Sequence, residues 1–216
     1  MSAPTGNKTS GQFISIQKLH VAKMLTDVAG TGATYETPID FGKVLRQVDI
    51  SPSNSSVDAY ADGQTIDTAT NTASYELTFE TAALPLEYLA YLLGHTYADG
   101  KMTANKDDVA PYFALMFQSD KRNGKKRLVK FYKVQFSEPN STSKTKEENI
   151  EFQMPTITAK AIYRLADGNS YVYADDEENS SINAASWYAS VDEVSGGGDG
   201  DGDGDGGDNN GGGEEE

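Results

Sequence analysis

With no cysteine in this 216-residue chain, the side chains best suited to metal binding and to acid–base chemistry are two histidines and 33 carboxylates. His20 lies in a stretch of strand-like alternation and His95 just beyond a leucine-rich helix. Neither sits at a spacing that pairs it with a second metal ligand or with a nucleophile. Histidine catalysis needs positioned partners, so both are read as structural. The absence of cysteine removes thiolate zinc sites, iron–sulfur clusters, disulfide staples and cysteine nucleophiles. No phosphate-binding glycine loop, nucleophile elbow or zincin motif occurs. The expectation is a non-enzymatic chain with no catalytic residues, no cofactor and no metal site.

Three further patterns invite a chemical reading. Asp199, Asp201, Asp203 and Gly204 match the opening of a calcium-binding EF-hand loop. The twelfth position is Asn210 where a bidentate glutamate belongs, and no amphipathic helices flank the segment. A solvated acidic tail is the simpler reading. Sequons at Asn7, Asn54, Asn140 and Asn179 follow from a Ser/Thr/Asn-rich composition and mean nothing without secretion. The one basic cluster, Lys121, Arg122, Lys125, Lys126 and Arg127, straddles an Asn-Gly turn. It reads as a lysine-guarded strand edge, or as a patch that meets acidic residues on a neighbouring copy.

The elements that position these residues follow from composition and periodicity. The chain carries a formal net charge of −15, which disfavours binding to phosphate backbones or anionic lipid. Residues 192–216 hold ten of the acids, no base and 11 of the 21 glycines. They are expected to form a disordered acidic tail. The rest is ordinary in composition, and about 190 residues can bury roughly 70% of the surface that their unfolded chain exposes. The start, MSAPTGNKTSG, lacks the pattern of an export signal, and no run of about 18 apolar residues occurs. Production in the cytoplasm without a membrane partner is the expectation.

Strand periodicity dominates. Residues 74–80 alternate polar and apolar, the mark of a strand with one wet and one buried face. Segments 13–25 and 150–165 change phase midway, which predicts a bulge or a change of partner. Segments 43–50, 110–118, 125–136 and 170–174 complete about seven strands, with Lys121 to Gly124 as a hairpin turn. One helix is predicted at about 85–93, with Pro85 at its first position, Leu86, Leu89, Leu92 and Leu93 on one stripe, and Gly94 as its stop. The fold class is therefore mainly β, a sandwich or barrel with one short flanking helix. A long loop at 51–73, too long for a plain connection, is expected to be functional. The domain reading is an N-terminal arm (1–12), a β-sandwich (13–175), a C-terminal arm (176–191) and the tail (192–216), with Tyr171, Tyr173 and Trp187 holding the C-terminal arm down.

The order of four stretches resembles the major tail protein, or tail tube protein, family of long non-contractile-tailed bacteriophages. They are VDAYADGQ (57–64), LPLEYLAYLLGH (84–95), YFALMFQSDKRNGKKRLVKFYKVQF (112–136) and TKEENIEFQMPTITAKA (145–161). The likeness covers roughly residues 12–175, and the Gly/Asp tail departs from relatives that end in an immunoglobulin-like domain. The resemblance implies a structural virion protein forming hexameric rings that stack into a tube through which DNA passes without specific binding. Its partners would be its own copies and other tail proteins such as the tape measure, tail terminator and distal tail proteins. It further implies that Val57, Tyr60, Asp62 and Ile66 contact the next ring. Carboxylates on the tube wall would repel phosphate over about 8 Å at physiological salt, and Asp49, Glu76, Glu80 and Glu151 are the candidates. The rival readings are a calcium-responsive surface or adhesion module using the Asp/Gly tail, and, more remotely, a carbohydrate-active sandwich.

Overall fold

The computed structural model describes residues 10–61, 64–82, 84–140 and 155–191. The acidic tail, the N-terminal residues 1–9 and Glu151 lie outside this set, as do Asp62, Ile150 and Phe152.

β1 (Phe13–Val28) opens a nine-stranded antiparallel sheet that also holds β2 (Gly32–Tyr35), β3 (Ile39–Asp40), β4 (Leu45–Ala61) and β5 (Gln64–Thr81). Its remaining strands are β8 (Tyr112–Lys121), β9 (Lys126–Phe136), β10 (Thr156–Ala161) and β11 (Tyr171–Asp175). The main path runs β2-β1-β8-β9-β10-β5-β4, with β3 added to β1 and β11 to β9. A small hairpin of β6 (Thr96–Ala98) and β7 (Lys101–Thr103) stands apart. The sheet brings β1 close to β4, and the Phe41 amide extends the β1–β3 pairing by donating to Leu19 O at 2.9 Å. The mainly β class with a short helix agrees with the periodicity.

The sheet packs a core on each face, the second confined to β1, β8 and β9. Leu77, Phe79, Phe113, Leu115, Phe131, Val134 and Ile157 project into one core, a register shift between β8 and β9 placing both Phe131 and Val134 on that face. Helix α1 (Leu86–Leu93) closes that core with Leu92 and Leu93. Pro85 is the N-cap, one residue earlier than expected, and Leu86 is 49% exposed, so the buried stripe is Ala90, Leu92 and Leu93. Gly94 ends the helix at φ 76°. A Cβ there would sit 2.5 Å from Val109 O, so glycine is required twice over.

The second core lies on the opposite face of β1, β8 and β9, where Ala22, Ala114, Met116 and Leu128 meet Trp187, Tyr188 and Val191. Those last residues belong to helix α2 (Ala184–Ala189) and its exit. The segment 176–191 thus lies on its own sheet. Asn183 caps α2 by accepting from the Ala185 amide at 2.8 Å, a contact that offsets a helix too short to stand alone. The buried Lys130 ammonium donates to Val191 O at 2.6 Å and lies 4.3 Å from the Trp187 ring centroid.

The phase change in 13–25 is a bulge: β1 slips register against β8 between Gln17 and His20, and Lys18 takes φ 57°. The loop expected at 51–73 is not a loop. β4 and β5 stay paired from Leu45–Thr81 to Ala61–Gln64, forming a two-stranded ribbon that runs well past the other strands. Its sequence, rich in Ser, Thr, Asn and Asp, lacks the sustained apolar alternation by which a sheet strand is recognised.

Candidate assembly surface

The ribbon is the first part of the surface. From Asn54–Thr72 to the tip it has only its own two strands among the described residues, leaving both outer edges with backbone donors and acceptors facing outward. At about 3.3 Å per residue, eight pairs beyond Ser53–Ser74 reach roughly 25 Å from the sheet. Of the residues expected to contact another ring, Val57 and Tyr60 lie on β4 and Ile66 on β5. Asp62 lies outside the described residues.

The second part is a polar face. Cross-strand pairing aligns Gln47, Glu80 and Thr156 in one row, Asp49, Thr78 and Thr158 in the next, and Ser51, Glu76 and Lys160 in a third. This is the opposite face from the one that buries Leu77, Phe79 and Ile157. Asp49 and Glu76 are exposed and Glu80 is half-buried. The structure therefore brings together three of the four acids read as lumen candidates. It also adds Lys160 opposite Glu76, a cation the sequence reading did not pair with it. The Gln47 amide donates to both Asp49 oxygens at 3.0 and 3.1 Å.

The third part is the β8–β9 turn, and here the basic patch must be corrected. Lys121 is buried, its ammonium donating to both Asp175 oxygens at 2.6 Å, to Glu177 Oε2 at 2.7 Å and to Ser10 Oγ at 2.8 Å. Arg127 donates to Asp175 Oδ2 at 2.9 Å. Two of the five cations are thus neutralised within the chain, while Arg122 and Lys125 are exposed and Lys126 is half-buried. Burial depresses the Lys121 ammonium, but its carboxylate bonds outweigh burial and hold it above its ordinary value. Burial likewise raises Asp175, and the bonds from Lys121 and Arg127 outweigh it to bring that carboxyl down. Sequence spacing hid the arrangement because Lys121 and its acids are more than fifty residues apart.

His95 forms a fourth feature. Its Nδ1 lies 2.8 Å from Asp108 Oδ2 and its Nε2 2.6 Å from Glu138 Oε1, with the ring only 7% exposed. Carboxylate oxygens on both sides can be satisfied together only by an imidazolium, which has two N–H donors. The bonds to Asp108 and then Glu138 raise the His95 pKa against the opposing effect of burial. This clasp ties the exit of α1 to the 104–111 connection and to the end of β9. His20 instead stacks on Tyr188, with ring centroids 4.3 Å apart.

Four tyrosines that the sequence reading did not group gather at the root of the ribbon. The Tyr75 and Tyr171 rings meet edge-on at 5.1 Å, and Tyr171 and Tyr173 lie 4.8 Å apart. The Tyr163 hydroxyl donates to Thr72 O at 3.0 Å. Beside them, a groove of about 1050 Å³ separates β11 from α2 and is lined by Tyr173, Asp175, Asn179, Asn183 and Trp187. Among the described residues, no three of His, Asp and Glu converge to hold a metal ion, and no helix is long and apolar enough to cross a membrane. Neither any protein-family model nor any curated protein matches the chain.

Proposed function

We propose that this protein is a self-assembling structural subunit of a phage tail tube, closing into hexameric rings that stack into a conduit for DNA and ending in the virion. The observation that carries the reading is the ribbon. A pair of strands reaching roughly 25 Å beyond its sheet, with no further strand on either edge among the described residues, is a costly thing for a soluble monomer to display. Contact with further copies relieves it, and a closed ring relieves the margins of β4 and β11 in the same way. The resemblance of 57–64, 84–95, 112–136 and 145–161 to the tail tube family supports the same reading, as does a polar face on which Asp49, Glu76 and Glu80 project together. Acids there suit a wall that DNA must slide past.

Negative-stain imaging and sedimentation of the full chain test it. The wild type should form tubes as its concentration rises. A variant lacking residues 54–72 should keep its β-sheet circular dichroism and stop at single rings or monomers. Strictly monomeric wild type at high concentration, or normal tubes from the shortened variant, would reject the assignment.

A further inference from the structure

The ribbon leaves the sheet at a break in register. Ser53 pairs with Ser74, but the next pair is Asn54 with Thr72, so Ala73 is an extra residue on β5. An extra residue bends its strand and pulls neighbouring backbone groups off the ladder. Side chains compensate here. Thr72 Oγ1 donates to Asn54 Oδ1 at 2.7 Å across the break, and the Tyr163 phenol donates to Thr72 O at 3.0 Å.

Tyr163 follows β10 and so belongs to the body of the sheet, 91 residues from the carbonyl that it holds. Beneath the ribbon, Tyr75 lies edge-on to Tyr171 and 6.2 Å from the buried Phe131. Burial, and then the neighbouring Tyr163 and Tyr171 hydroxyls, raise the Tyr75 pKa. Tyr163 is nevertheless 41% exposed, so its ring adds little to the core and its hydroxyl has a separable role.

We infer that Tyr163 is a positioning residue that locks the ribbon at a fixed angle to the sheet, so that the ribbon meets a second copy of the chain as a rigid prong. A bulge without a lock would act as a hinge, and a hinged ribbon would lose conformational freedom at every contact. The consequence for assembly rests on the tube reading; the stiffness does not.

Hydrogen exchange of full-length wild type and Tyr163→Phe separates the two. In the variant, amides of 54–61 and 64–74 should exchange about fivefold faster, the range expected for losing one hydrogen bond, while β8 and β9 are unchanged. The concentration at which tubes appear should rise by a similar factor. Deleting Ala73 restores one-to-one register, and should keep the ribbon protected while preventing normal stacking. Ribbon exchange in Tyr163→Phe equal to wild type would overturn the inference. Equal acceleration in β8 and β9 would overturn it too, by showing that the hydroxyl supports the whole fold. Faster ribbon exchange in a chain whose wild type never polymerises would support the lock and reject the tube.

Discussion

Two side chains carry the sharpest consequences at the residue scale. Lys121 is buried against Asp175 and Glu177, and removing one partner of a buried ion pair leaves the other uncompensated. Lys121→Met should cost about 3 kcal/mol or more in urea unfolding, whereas a surface lysine such as Lys125 should cost almost nothing. Equal effects would show that the node contributes no more than an exposed pair. His95 gives the pH response. Its folded pKa is raised above the unfolded value of 6.5, so its stabilisation is complete below about pH 6.5 and is lost as pH rises through the folded value. Asp108 is lowered, first by the Asn105 amide and then by His95; its share is present above 3.8 and fades as pH falls through its folded value. The clasp is therefore strongest in mildly acidic solution. Thermal melts of wild type should fall on the order of 2–4 °C relative to His95→Gln between pH 6 and 9, and parallel profiles would show that the clasp does not titrate.

Among the elements, what could be read in advance depended on contrast between faces. Residues 74–80 were legible because one side is buried and the other wet. The ribbon was not, since its sequence carries no sustained apolar alternation, although the Asp-Gly dipeptide at 62–63 is one favoured in two-residue hairpins. α2 escaped notice because six residues are too few for a helical pattern, and only the Asn183 cap gives it away. The basic cluster was visible as charge, but its acids were hidden by chain distance. Gly94 was legible as a helix stop, and the structure adds the Val109 carbonyl against which no side chain fits. Gly94→Ala should destabilise by about 2 kcal/mol, seen as a shifted denaturation midpoint at constant slope. A neutral substitution would mean that the 104–111 connection moves aside easily.

At the scale of the whole molecule, the question is what the polar face does once many copies share it. Individual acids on a wet face keep any protein soluble, so only their sum can argue for a lumen. The rows of the sheet show which acids count. Glu76 stands opposite Lys160, so their fields largely cancel, while Asp49 and Glu80 face only amides and hydroxyls across the strands. Replacing Glu76 by lysine would also set two cations side by side and disturb the sheet itself. The discriminating variant is therefore Asp49→Lys with Glu80→Lys, which reverses the field and leaves that cross-strand pair intact. In the proposed tube, repeated around six subunits and along every ring, the change would turn a repelling wall into one that binds phosphate over a Debye length of about 8 Å. Tubes of normal diameter should form, and DNA release triggered from assembled particles should slow severalfold, with the delay shrinking as salt is raised. Wild-type release kinetics at low salt from normally assembled particles would place this face on the outside of the tube.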